Sequence, residues 1–187
     1  TDRTGASRVI RGKLTAKRDS GLARISIRIT APTNVAGAAY LVRERAGNAE
    51  DDMFVFLPSV GRARHITGAF ANGALLGTDF SYADAKIIQN TFTGADGKLE
   101  AASEVDQRPT HVLTLTPGKN MKNPPYSLVR MWLDQKTCVP LKADFYQGDK
   151  LRKQLTASAS ALTQSGKFWY LSQLEMSDLK EGTKTQI

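Results

Sequence analysis

Apolar and polar residues alternate with a period of two along much of this chain. In residues 22–30, Ile25, Ile27 and Ile29 fall on one side and Arg24, Ser26, Arg28 and Thr30 on the other, the pattern of a half-buried antiparallel strand. The same period recurs in residues 110–116, 139–145 and 168–176. Between such runs stand Asp19-Ser20-Gly21, Asn72-Gly73, Asp96-Gly97, Gly148-Asp149 and Ser165-Gly166, each able to supply the positive φ of a tight turn. Strands at hairpin spacing predict a meandering antiparallel sheet.

Helical signal is scarce. Residues 83–89 can make about two turns behind Ser81, and residues 99–105 are an ambiguous second candidate. Residues 117–125, with Gly118, Asn120 and Pro124-Pro125, read as an irregular loop. Some strands are apolar in both phases: Phe54 and Phe56 alternate with Met53, Val55 and Leu57, and Met131 and Leu133 flank Trp132. Too few helices are visible to cover so much apolar strand. A strongly curved antiparallel sheet, an incomplete barrel with short helices on its concave side, would resolve the excess in a mainly β (α+β) fold.

The 187 residues, 41% of them hydrophobic, suit one domain with a sizeable core. No apolar run reaches the roughly 20 residues that span a bilayer. The 26 basic and 18 acidic residues give +8 at neutral pH, a balance that attracts phosphate-bearing partners such as nucleic acid or anionic lipid headgroups. Neither Arg8, Arg11, Lys13, Lys17 and Arg18 nor Arg62, Arg64 and His65 is interleaved with aromatics, so a solvated strand face is the better reading than a nucleic-acid platform. Cys138 is the only cysteine and is expected to be a small buried hydrophobe in a strand.

Enzymatic chemistry has little to build on. His65 and His111 are the only imidazoles, and no nucleophile elbow, paired-cysteine motif, zinc-binding helix or glycine-rich phosphate loop is found. No metal or cofactor is expected. Asp79 and Asp84 could act as acid and base or hold a cation. Their spacing, the neighbouring Gly77 and the stretch from Arg62 to His65 favour ion pairing and capping, with Ser81 capping a helical turn over which Asp84 sits. Phe54, Phe56, Trp132 and Trp169 serve a lipid cavity or a packed core equally well.

Several words stand in a telling order. Pro32-Thr33-Asn34-Val35-Ala36-Gly37 with Leu41 comes first, then Leu57-Pro58, Arg62-Ala63-Arg64-His65-Ile66, Gly77-Thr78-Asp79-Phe80-Ser81-Tyr82, Met131-Trp132-Leu133-Asp134 and Val139-Pro140-Leu141-Lys142. This ordered set, spanning residues 23–178, resembles the LolA-like superfamily of outer-membrane lipoprotein-sorting proteins. The resemblance implies a periplasmic, non-enzymatic carrier whose hydrophobic cavity takes up lipoprotein acyl chains or another lipid. Phe54, Phe56, Met131, Leu133, Trp132 and Trp169 are then the cavity candidates, and Gly77, Asp79, Ser81 and Asp84 form the structural motif. It also implies a signal sequence ahead of residue 1; with no repeat or linker, residues 1–187 are expected to form a single domain, which departs from the family in lacking its opening helix and last strands. Peripheral contact with membranes would fit such a carrier. The alternative is a periplasmic module that docks on an inner-membrane exporter of the resistance-nodulation-division type and carries no ligand.

Overall fold

The computed structural model describes residues 1–45, 51–67, 70, 72–84, 95–119, 121 and 124–187. Its strands are β1 (Arg11–Asp19), β2 (Leu22–Ala31), β3 (Ala39–Arg43), β4 (Asp52–Leu57), β5 (Arg62–Ile66), β6 (Ala95–Leu99), β7 (Ser103–Val105), β8 (Arg108–Pro117), β9 (Leu128–Asp134), β10 (Pro140–Gln147), β11 (Lys150–Thr156), β12 (Leu162–Ser165), β13 (Phe168–Leu171), β14 (Glu175–Asp178) and β15 (Thr183–Gln186). The protein is mainly β, and among the described residues every strand pairing is antiparallel and no sheet closes into a barrel, as the alternation predicts. The chain forms two compact units, one of Ser7–Ala71 and one of Thr1–Ala6 with Asn72–Ile187.

The unit Ser7–Ala71 is a sheet in the order β1-β2-β3-β4-β5. Ser20 and Gly21, at φ +52° and +82°, turn β1 into β2, as the Asp-Ser-Gly sequence predicts. Register assigns each phase of the strands to a face. Ile25, Val42, Met53 and Ile66 lie in one row, with Ile27, Tyr40, Val55 and the exposed Arg64 in the next, and Ile25, Tyr40, Val42 and Ile66 are buried. The opposite face carries the row Thr15, Ser26, Leu41, Phe54 and His65, flanked by Lys13, Arg28, Ala39, Phe56 and Ala63 on one side and Lys17, Arg24, Arg43 and Asp52 on the other. Strand β1 is exposed along its whole length.

The larger unit holds the sheet β15-β14-β11-β10-β9-β8-β6, with β7 also paired to β8, and a separate β12-β13 ribbon. Leu113, Met131, Ala143, Leu155 and Met176 form an apolar row across five strands, and the last four are about 1% exposed or less. The other face is polar. There Arg130 pairs with Glu100, Gln154 donates to Asp144, Lys142 lies 3.6 Å from Asp144, and the Lys142 ammonium sits 4.3 Å over the Trp132 ring.

Five sequence expectations change. Asp96-Gly97 is no turn: Gly97 is extended within β6 and pairs with Leu115. Residues 99–105 are not helical, since they end β6 and form β7. The run 168–176 splits, because the Ser172 amide and hydroxyl both donate to the Ala161 carbonyl and end the ribbon before Glu175 joins β11. Cys138 is an exposed free thiol at φ +58°, its amide donating to the Asp134 carbonyl in a turn, so it is no core hydrophobe. Asn72-Gly73 leads into the bridge between Ala74 and Ser81 and not into a hairpin. Of the expected helix, Tyr82 to Asp84 is helical, and residues 85–89 lie outside the described residues. In the expected loop, Pro117 ends β8, and residues 120, 122 and 123 lie outside the described residues.

Candidate functional site

The Gly77–Asp84 motif is built around a buried carboxylate. Gly77 takes φ +75°, a left-handed conformation that costs glycine little, and the Leu75 and Phe80 backbones close the loop at 2.7 Å. The Ser81 hydroxyl accepts from the Asp84 amide at 3.0 Å, and the Asp84 carboxylate accepts from the Ser81 amide at 2.7 Å. This reciprocal capping box is the one that the spacing predicts. The predicted basic partner, however, is wrong. Asp84, fully buried, accepts from the Lys153 ammonium at 2.9 Å and the Tyr126 hydroxyl at 2.6 Å, not from the Arg62–His65 stretch. Lys153 also donates to the Asp79 carbonyl at 2.6 Å.

Asp79 makes its own bonds to the last strand. Its carboxylate accepts from the Thr183 hydroxyl and, at 2.5 Å, from the Thr185 hydroxyl, while its amide donates to Thr185 at 2.9 Å. The motif is thereby tied to β11 and β15, with the Tyr126 ring 5.0 Å from that of Phe145. Burial, reinforced by the Asp84 charge, pushes the Tyr126 hydroxyl far above its ordinary pKa, so it stays a donor. Beside these residues opens a polar cleft of about 290 Å³ lined by Asp79, Tyr126, Arg152 and Lys153 among others. A second polar cleft of about 540 Å³ is lined by Ser158, Ser160, Ser172 and Glu175 among others.

Sequence reading missed Lys153, Tyr126, Thr183 and Thr185. One signal was present: Lys153 stands between Leu151 and Leu155 in the apolar phase of its strand, where a charge needs a buried partner. The Trp-x-Asp turn is a second polar anchor. Asp134 accepts from Arg108 at 2.6 Å and from the Thr137 amide and hydroxyl at 2.9 and 2.8 Å, and the Arg108 bond leads in lowering its pKa to about 2.

The cavity candidates do not gather on one strand face. Phe54 stacks on His65 with ring centroids 4.8 Å apart, and Phe56 shares that face, the one carrying Lys13, Lys17, Arg24, Arg28 and Arg43. Met131 is 1% exposed in the apolar row, with Leu133 half-buried in the same phase and Trp132 half-buried in the other. Trp169 is 38% exposed on β13. Among the described residues no group of three or more His, Cys, Asp or Glu side chains could hold a metal ion, and no helix is long and apolar enough to cross a membrane.

Solved structures share this architecture. A DUF1329 family protein from Desulfovibrio piger superposes with a TM-score of 0.82 at 27% identity, covering 95% of this chain and 73% of its own. A domain described as that of an outer membrane lipoprotein-sorting protein, from Vibrio parahaemolyticus, has a TM-score of 0.83 at 24% identity with coverage of 95% and 73%. A LolA superfamily protein from Nitrosomonas europaea gives 0.70 at 21% identity, covering 100% of this chain and 77% of its own. No curated protein matches the sequence. These likenesses define a LolA-like fold. A family model described as that of an uncharacterized protein matches residues 21–187, and the chain belongs to that family.

Proposed function

We propose that the protein is a non-enzymatic periplasmic carrier that encloses the acyl chains of a lipoprotein or another lipid. The observation that carries this reading is the fold it shares, over 95% of its length, with a domain described as lipoprotein-sorting. The apolar phases of the strands supply the chemistry, and within the larger unit Met131 and Leu133 share one such phase of β9. In the smaller unit Phe54 and Phe56 stand in the phase that lies beside the basic side chains. Each enclosed methylene contributes about 0.8 kcal/mol, so about ten of them suffice for micromolar binding. Delipidated protein is expected to take up a fluorescent fatty-acid probe saturably, and mass spectrometry of lipid extracted from the purified protein identifies the cargo. A protein that neither binds the probe nor carries extractable lipid overturns the reading.

A second reading rests on the burial of Met131, on the clefts beside Asp79 and Ser172 being polar, and on the apolar row being filled by its own side chains. In it the protein is an interaction module for an inner-membrane exporter of the resistance-nodulation-division type. That module would take up no probe and would bind the exporter with its own lipid sites empty.

A further inference from the structure

The sheet of Ser7–Ala71 concentrates positive charge on one face. Lys13 pairs in register with Arg28, Lys17 with Arg24, and Arg24 with Arg43, so five basic side chains from three adjacent strands share that surface. Asp19 offsets one of them, 3.2 Å from Arg24, and Asp52 lies 3.4 Å from Arg45 and 3.6 Å from His65. Lys13, Lys17, Arg28 and Arg43 have no acidic partner within ion-pair distance among the described residues, and all four are exposed. Next to this basic half, on the same face, lies a half-buried apolar strip of Ala39, Leu41, Phe54 and Phe56.

We propose that this face, with Lys13, Lys17, Arg24, Arg28 and Arg43 beside Leu41, Phe54 and Phe56, is a docking surface for a bilayer bearing anionic headgroups. Charge complementarity selects the partner. Basic side chains held within a Debye length of an anionic surface attract its headgroups, and an adjoining apolar strip meets the acyl boundary. Nucleic acid presents the same negative charge, but its bases need a free aromatic face to stack upon. Here the Phe54 ring is already stacked on His65, at 25° between planes, and Phe56 lies between Ala39 and Ala63 in its row. The proposal goes beyond the carrier reading and does not depend on it, since a module without a lipid cargo would use the same face.

The test is sedimentation of the whole protein with vesicles of phosphatidylcholine alone or containing about a third phosphatidylglycerol. Binding is expected to the anionic vesicles only, and to fall steeply as salt rises to several hundred millimolar. Each basic residue near such a surface contributes about fivefold in affinity, so Lys13→Gln with Arg28→Gln lowers binding about 25-fold. The control Lys136→Gln with Lys150→Gln removes the same charge from exposed positions of the other unit and should cost less than about threefold. Should the first variant melt early, Lys17→Gln with Arg43→Gln replaces it. Equal loss from the control, equal binding to neutral vesicles, or a single-stranded oligonucleotide bound more tightly than the anionic vesicles overturns the proposal. Fatty-acid uptake, measured on the same variants, should be unchanged, which separates a failure of the docking face from a failure of the carrier reading.

Discussion

Lys153 and Asp84, 69 residues apart in the chain, meet at 2.9 Å in a buried ion pair that joins the helical turn at Ser81 to strand β11. The Asp84 carboxylate also accepts the Tyr126 hydroxyl and the Ser81 amide, so its burial is matched by hydrogen bonds. Removing one partner leaves the other charged and unpaired in the interior. Lys153→Met is expected to cost about 3 to 5 kcal/mol, read as a fall in the midpoint of urea unfolding. Adding Asp84→Leu to it should recover most of that loss, and a double variant no more stable than the single one contradicts the pairing.

Ser81 makes a smaller contribution. Its hydroxyl caps the turn by accepting the Asp84 amide, and Ser81→Ala should lower stability by about 1 kcal/mol. Ser81→Asn, which keeps a capping oxygen, should recover most of that loss. Thermal unfolding of the two variants side by side distinguishes a cap from mere filling of space.

Asp134 gives stability a pH dependence of defined sign. The Arg108 bond, with the Thr137 hydroxyl and amide, holds its folded-state pKa at about 2, below the ordinary carboxylate value of the unfolded chain. Its contribution is therefore complete above about pH 4 and is lost as pH falls through about 2. Asp134→Asn should destabilise the protein at pH 7 by about 2 kcal/mol. It should also remove part of the fall in stability between pH 4 and pH 2, measured by denaturant titration at each pH.

The two phases of β4 make opposite predictions for cargo. Phe54→Arg changes the basic face and should leave fatty-acid uptake intact. Val55→Arg adds a second charge, opposite Arg64, to the row of Tyr40 and Ile27 and should abolish uptake, with a stability loss of about 1 to 3 kcal/mol. Uptake lost in Phe54→Arg and kept in Val55→Arg would assign the cargo to the other face.

Cys138 should react as an exposed thiol. Native protein is expected to react with a disulfide reagent at one thiol per chain without denaturant. A buried thiol would react only on unfolding.

Local pattern carried the antiparallel strands of β2, β8 and β10, the turn at Ser20-Gly21 and the Ser81–Asp84 capping box, because each depends on residues within a few positions of one another. Gly97 and Cys138 were misread for the complementary reason. A glycine that pairs with Leu115 and a cysteine whose amide reaches Asp134 are set by partners that period and composition do not specify. The same holds for the sites. Alternation within residues 53–57 could not say whether Phe54 or Val55 faces the core, since both phases are apolar. Pairing assigned the two phases to faces, by placing Val55 between the buried Tyr40 and Arg64 and Phe54 between Leu41 and His65. Likewise Asp84 was legible as a cap from its own neighbourhood, whereas its charge partner was not. A carboxylate cannot be buried alone, but which of 26 basic residues meets it depends on the register of β11 against β10 and β14, a property of the folded sheet alone.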